Sequence, residues 1–511
     1  MASWRRVKPK QSNLRFLPPN LLSEHIVSPM KNLPVLCCAF FLGLLLTSSL
    51  FAQPWQHGYI KASPDGHHLQ HKDGTPFFWL ADTGWEMFHR LRLEEAARYF
   101  DNRKKLGFNV IQAVALAEFD GLGTPNAYGQ IPFVDQNPEK PNEAHWQTVD
   151  SMIGLAAQRG LYIALLPTWG DKVTPLWGKG PQIFKRDDPN FAYEYALWMS
   201  RRYAHRPNVL WMLGGDRPAV HFEEKDGITA KRDYRPVWRA MAKGILLEAP
   251  LSFLTYHCWG GTNSTSQYIH EENWLHMNTM QSGHGSGHDV PVWEWIARDY
   301  ALQPAKPTLD AEPNYEDHPV NPWPTWDPTN GYFRDWDVRK QIYRSVFAGG
   351  CGVTYGHHAV WQFWSPKVEV INHADRYWTE AIKRPGAAQA GHLRRLLESR
   401  APLLNIPDQS LIAAGQGEKG EYMVACRASD GSYAMVYLPL GKTLTINTKN
   451  LKGTELVAWW WNPRSGKAKK IGKQPKQPEM SFTPPKSGAE NDWVLVLDDA
   501  ARKYDKPGAT K

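Results

Sequence analysis

The sequence predicts a parallel (β/α)8 TIM barrel followed by a small antiparallel β-sandwich, and three features carry that expectation. Between Phe77 and Glu398, eight short apolar runs alternate with longer segments of helical period, the pattern of a parallel sheet covered by helices. Beyond about residue 405 the helical period vanishes, and short β-branched and aromatic runs follow one another between Gly, Asn and Lys turns. A length of 511 residues suits one barrel plus a smaller domain, because such barrels run to about 250 residues or more as single units.

Gly58 to Pro76 alternates polar and turn residues, with Pro64-Asp65-Gly66 and Lys72-Asp73-Gly74 as tight turns, and predicts a hairpin closing the bottom of the barrel. The first strand, Phe77 to Ala81, ends in Asp82-Thr83-Gly84-Trp85, and the spacing of Leu93, Ala96, Ala97 and Phe100 predicts a helix over 93–106. The second strand, Phe108 to Leu116, opens into a Gly-, Pro- and Asn-rich insertion from Ala117 to Glu143 that reads as a loop over the mouth. A helix over 145–159 stops at Gly160, a third strand runs from Leu161 to Leu166, and a helix over 191–204 precedes the fourth strand at Asn208. Further strands are expected at Leu251 to Tyr256, Leu275 to Met280, the run into Asp310, and Gly352 to Tyr355, with helices over 234–247, 337–347 and 387–398. The barrel is thus expected over residues 53–400 and the sandwich over 405–500. The polar tail, 501–511, reads as flexible.

The first 52 residues read differently. Lys31, a Leu/Phe/Cys-rich uncharged run from Leu33 and a small-residue region ending at Ala52 form a secretory signal, with Met30 as a second possible start. An uncleaved membrane anchor is the alternative. Export to the periplasm, cell surface or medium follows, with no stable membrane association after cleavage. The formal charge of +8 shrinks with the leader: six Lys/Arg and one Asp/Glu fall in residues 1–52, leaving 53 basic against 50 acidic residues, a net of +3. That balance excludes a nucleic-acid partner. Of five cysteines, Cys258, Cys351 and Cys426 remain beyond the leader, without metal-ligand spacing or a disulfide framework.

Two strand ends about a hundred residues apart each deliver a carboxylate: Asn208-Val209-Leu210-Trp211-Met212-Leu213-Gly214-Gly215-Asp216 and Lys306-Pro307-Thr308-Leu309-Asp310-Ala311-Glu312. Side chains at the C-terminal ends of parallel barrel strands converge on one pocket, so Asp216 and Glu312 can flank one bond. Two carboxyl groups about 5 to 5.5 Å apart are what glycosidic cleavage with retention requires. The plainer alternatives are a turn cap for Asp216 and half of a structural ion pair for Glu312. Arg217 would oppose a proton on Asp216 if it pointed inward, and is expected to point away.

Four motifs in this order resemble the apiosidase-like glycoside hydrolases over about residues 58 to 400: Trp79-Leu80-Ala81-Asp82-Thr83-Gly84-Trp85, Trp211-Met212-Leu213-Gly214-Gly215-Asp216-Arg217-Pro218, Asp310-Ala311-Glu312-Pro313-Asn314-Tyr315-Glu316, and Thr354-Tyr355-Gly356-His357-His358-Ala359-Val360-Trp361. The trailing sheet looks like a domain often fused behind this barrel and labelled collagen-binding, a label that assigns no function here. The resemblance implies an acid/base on strand four, Asp216, and a nucleophile on strand seven, Glu312. It also implies release of apiose, a branched pentose, from pectin side chains, without cofactor or metal. Alternatives are another pentose such as arabinofuranose, a non-catalytic carbohydrate- or matrix-binding protein, and a metal-dependent hydrolase on the same barrel.

Candidate sugar contacts are the other residues at strand ends: Asp82, Trp85, His257, Gln281, Tyr315, His357, His358 and Trp361. Asp and Gln suit the many hydroxyls of a sugar, and an indole suits its apolar face. For each, the alternative is a partner that holds a catalytic carboxylate. Trp459-Trp460-Trp461 reads as sandwich core and interdomain packing. His270-Glu271-Glu272-Asn273-Trp274 lacks the second His of a zinc-protease helix, and Gly283-His284-Gly285-Ser286-Gly287-His288 reads as a mobile rim loop, with a metal held by His284 and His288 as the lesser alternative.

Overall fold

The computed structural model describes residues 53–509 apart from Asp226 and Thr262. The leader expected over residues 1–52 lies outside the described residues. Two strands, β1 (Ile60–Ala62) and β2 (Leu69–His71), form the N-terminal antiparallel hairpin. Ile60 and Leu69 pack with Phe77, Trp79, Tyr162 and Phe253 at the N-terminal end of the barrel, which this hairpin plugs.

The barrel strands stand where the apolar runs place them: β3 (Trp79–Thr83), β4 (Val110–Val114), β5 (Tyr162–Leu166), β6 (Val209–Gly214), then, after a hairpin of β7 (Val220–Lys225) and β8 (Ile228–Asp233), β9 (Leu254–His257), β10 (Asn278–Met280), β11 (Thr308–Asp310) and β12 (Gly352–Tyr355). Six form one parallel sheet in the order β12-β3-β4-β5-β6-β9, and β10 pairs in parallel with β11. Main-chain bonds from His276 N to Leu254 O and from Cys351 N to Thr308 O, both 2.9 Å, join the pair to the sheet on either side.

Helices α1 (Met87–Arg90), α2 (Leu93–Lys105), α3 (Glu143–Gln158), α4 (Asn190–Tyr203), α5 (Arg235–Glu248), α6 (Val292–Tyr300), α7 (Asp335–Phe347), α8 (His358–Trp361), α9 (Trp378–Ala381) and α10 (Pro385–Glu398) lie between the strands. The hairpin β7–β8 and helices α1, α6, α8 and α9 are not among the expected elements. Among the described residues no helix is long and apolar enough to cross a membrane.

The strands read as unbroken apolar runs because both faces are covered. Trp79, Ala81, Val110, Tyr162, Ala164, Leu210, Met212 and Leu309 fill the barrel interior. Their neighbours Leu80, Ile111, Ile163, Leu165, Trp211, Leu213 and Leu254 pack outward toward the helices. This alternation, a consequence of the two-residue repeat of a strand, later decides which strand-end residues reach the mouth.

The remaining chain forms two antiparallel sheets from β13 (Asn405–Pro407), β14 (Ile412–Ala414), β15 (Val424–Ala428), β16 (Tyr433–Leu438), β17 (Leu444–Asn447), β18 (Glu455–Asn462), β19 (Lys467–Pro475), β20 (Glu479–Phe482) and β21 (Trp493–Asp499). One runs β13-β15-β16-β21-β18-β19 and the other β14-β17-β20. Ala434, Val436 and Leu438 face the sandwich interior, whereas Tyr433, Met435 and Tyr437 join the cluster containing Val338, Ile342, Tyr343 and Val346 of α7. The tryptophan run divides in the same way: Trp460 enters the sandwich core, and Trp461 joins the cluster shared with α7. The tail expected to be flexible is held as far as it is described. Tyr504 lies beneath the Arg400 guanidinium at 4.9 Å, and Gly508 N donates to Ser399 Oγ at 3.0 Å. Its backbone partners are the side chains of Ser399 and Arg400 at the end of α10, which the polar composition did not reveal.

Candidate active site

The fourth barrel strand ends in Gly214-Gly215, both with positive φ (85° and 115°). A Cβ on Gly214 would stand 2.2 Å from His257 O, so only glycine lets β6 and β9 meet this closely. The turn leaves Asp216 itself in the left-handed region (φ 55°) and swings its carboxyl into the mouth. Glu312 comes two residues after β11, and His257 ends β9. One ligand atom each from Asp216, His257 and Glu312 lies within 4.8 Å of the others.

The surroundings push the two carboxyls apart in proton affinity. Glu312 is 5 % exposed, and burial alone would raise it. Contacts from His257 (Nε2 to Oε2, 3.1 Å) and His284 (Nε2 to Oε1, 3.3 Å) outweigh burial and bring it down to about 2. Asp216 moves the other way: burial and the neighbouring negative charge of Glu312 raise it above the usual carboxylate range, against the weaker opposing influences of His257, Arg217 and a bond from Gln281. Among the described residues Asp216 Oδ1 has no hydrogen-bond partner. A proton held on one acid beside an ionised partner is the division of labour that general-acid protonation and nucleophilic attack require.

Arg217 is turned from the Asp216 carboxyl. Its guanidinium pairs with Glu118 Oε1 at 2.9 Å, donates to the main-chain oxygens of Asp216 (2.9 Å) and Trp177 (2.7 Å), and lies 3.8 Å from the Trp177 ring. Burial pushes Glu118 up to about 7 even beside Arg217.

The expected sugar contacts divide into three groups. His257, Gln281 and Tyr315 adjoin the acid pair. The Tyr315 hydroxyl accepts from Trp85 Nε1 at 2.8 Å and faces Glu312 and Thr83. Trp85 is 5 % exposed, with His257 and Trp169 packed on its ring at 5.1 and 5.2 Å, so it forms a wall of the pocket.

Asp82 and His357 lie away from the acid pair. Each lies one residue out of phase with the inward-facing set on its strand. Asp82 is fully buried against α2, where Arg103 Nε binds it at 2.7 Å and Tyr99 donates to it. His357 pairs with Asp317 at 3.2 Å and caps α8. Neither faces the carboxyl pair.

His358 and Trp361 are linked to the pair through other rings. His284 stacks on His318 at 4.2 Å, His318 meets His358 at 4.3 Å, and Trp361 Nε1 donates to His358 Nδ1 at 3.3 Å. Burial lowers His358 to about 3, so this imidazole is neutral at physiological pH.

His284 is the functional candidate that sequence reasoning misplaced. The glycine-rich segment expected at a mobile rim holds an imidazole that is 8 % exposed and placed between Glu312 and the Tyr315 backbone, whose N–H its Nδ1 accepts at 3.2 Å. The available signal was position: His284 follows the sixth barrel strand by four residues, as Glu312 follows the seventh by two. Glu118, inside the insertion expected over the mouth, carried no such signal. His288 instead pairs with Asp337 at 3.0 Å, so it does not share a site with His284. The trio Asp216, His257 and Glu312, with two carboxylate oxygens and one imidazole nitrogen, could hold a divalent cation.

Residues 63–403 match the model of the Apiosidase-like catalytic domain, and residues 406–498 match one carrying a collagen-binding description taken from a collagenase. The chain is similar to a solved glycoside hydrolase family 5 protein from Bacteroides vulgatus ATCC 8482, at 31 % identity and TM-score 0.79, over 89 % of this chain and 96 % of that one. A second solved structure, titled only as a glycoside hydrolase, is 30 % identical with TM-score 0.77, over 88 % of this chain and 99 % of the other. No curated protein matches.

Proposed function

The chain belongs to the apiosidase-like family and is a glycoside hydrolase, and from that premise we propose that it removes a terminal pentose of the apiose type from pectin side chains with retention of configuration. Glu312 attacks the anomeric carbon while Asp216 protonates the leaving oxygen, giving a glycosyl-enzyme. Asp216 then takes a proton from water as that water displaces Glu312. The observation that carries the reading is the pair itself: a buried Glu312 and a half-buried Asp216 with carboxylate oxygens within 4.8 Å, one held ionised by two histidines and the other pushed toward the protonated form. Once Glu312 is esterified its charge is gone, and Asp216 gives up its proton more readily, which suits the second step. His257 and His284 are positioning residues for the nucleophile.

The test is incubation with defined pectic oligosaccharides, identifying the released monosaccharide and the anomer first formed. Glu312→Ala and Asp216→Ala are each expected to lower kcat by at least about 100- to 10,000-fold, with the circular dichroism spectrum unchanged. Activity surviving both substitutions removes the acid pair from the mechanism, and an inverted product removes retention. A second reading, a metal-dependent hydrolase, is favoured only by the Asp216–His257–Glu312 trio. Turnover that persists after exhaustive chelation rules it out. We also propose that the chain is exported by its leader; an N-terminus of the secreted protein near residue 53 would support this.

A further inference from the structure

The mouth carries an aromatic cluster that the reaction above does not use. Trp177, Trp259 and Trp323 come from three loops, those following β5, β9 and β11. Trp177 meets Trp259 at 5.1 Å and Trp323 at 6.3 Å, with interplanar angles of 61° and 69°, so the rings are splayed rather than stacked flat. Trp259 is 38 % and Trp323 is 61 % exposed, an unusual cost for indoles that could have packed inward.

Each loop is tied to the acid pair. Trp177 supports Arg217, whose Nη1 holds the Asp216 carbonyl. Trp259 follows His257 by two residues, and the next residue, Gly260, lies so close to Gln281 that a Cβ would stand 3.2 Å from its Oε1. The loop of Trp323 is anchored by Trp326, whose ring meets His318 at 4.8 Å beside His284.

We propose that Trp177, Trp259 and Trp323 form a platform for the sugar ring next to the one that is cleaved. The proposal rests on the glycosidase reading and names where the rest of the glycan lies. An enzyme acting on a terminal pentose must hold the remaining chain outside the pocket, and these three loops rim that exit. The hydrocarbon face of a pyranose fits a splayed pair of indoles, while its hydroxyls stay in water. A cationic ligand fits less well, because Arg217 already lies over Trp177. Trp177 is the fixed base, and Trp259 and Trp323 supply the open faces.

The test begins with a panel of purified pectic side-chain oligosaccharides titrated calorimetrically into the Glu312→Ala chain. For the tightest binder, adding Trp259→Ala or Trp323→Ala is expected to weaken binding about tenfold. Ile471→Ala, which trims a 42 % exposed apolar side chain on β19, leaves affinity unchanged. In the chain with Glu312 intact, each tryptophan substitution raises KM about tenfold while kcat falls less than twofold. A panel without a binder, binding indifferent to both tryptophans, or a loss confined to kcat overturns the platform. Tryptophan-dependent binding without hydrolysis by the unsubstituted chain would sink the proposed pentose release from these side chains and leave the glycan platform standing, and hydrolysis without tryptophan dependence would sink the platform alone.

Discussion

Two carboxylates show how environment rather than residue type assigns a role. Glu312 is buried and Asp216 half-buried, and two imidazoles favour the ionised form of the first, while loss of water around Asp216 and the charge of Glu312 favour the protonated form of the second. The pH dependence of kcat/KM should follow: activity falls on the acid side near pH 2, as Glu312 gains a proton, and on the alkaline side above the usual carboxylate range, as Asp216 loses one. His257→Asn withdraws the contact that lowers both groups, so both limbs should move to higher pH; a profile that does not move would remove His257 from the mechanism. Asp82 carries the opposite lesson. It and Arg103 are fully buried and paired, so Asp82→Ala leaves an uncompensated guanidinium and should cost about 3 to 5 kcal/mol in denaturant unfolding. A sugar contact would instead raise KM at unchanged stability. The residue types at Asp82 and His357 were suggestive, but the pleat turns both away from the mouth.

At the level of elements, the mouth depends on close approaches that only glycine permits. A Cβ on Gly356 would stand 2.0 Å from the Tyr315 ring, so Gly356→Ala must push that ring away from Trp85 and Glu312. The expected result is a loss of about 1 to 3 kcal/mol together with a fall in kcat, read by thermal melts and kinetics; a variant with unaltered melting would show that the ring has room to move. The barrel strands and most helices were legible because apolar period reports burial directly. The hairpin β7–β8 was not, since its exposed residues, among them Phe222 and Ile228, carry no buried face to set a pattern. The His284 loop was misread for a related reason: glycine-rich composition signals conformational freedom, whereas here the ordering contacts come from Glu312 and Tyr315, distant in sequence.

Across the whole molecule, the sandwich is part of the barrel's packing rather than an appended module. Alternate residues of β16 pack against α7, and Arg339 of α7 forms a two-pronged pair with Asp492 at 3.0 Å for each bond, with both side chains buried. Arg344 of the same helix donates to the carbonyls of Lys419, Gly420 and Tyr422. Barrel and sandwich should therefore unfold in one transition, and Arg339→Ala should lower the free energy of that transition in denaturant unfolding by about 3 to 5 kcal/mol. Two resolved transitions in the unsubstituted chain would contradict this coupling.

The eight barrel strands and the long helices between most of them, the change of texture near residue 405, and the position of the two carboxylates at strand ends were legible in the sequence alone, because period and turn residues are local properties of the chain. Only the tertiary structure decided which strand-end side chains share the pocket. That choice depends on strand parity, on the Gly214-Gly215 turn and on His284 arriving from another loop. These are relations among distant segments, which no local pattern encodes.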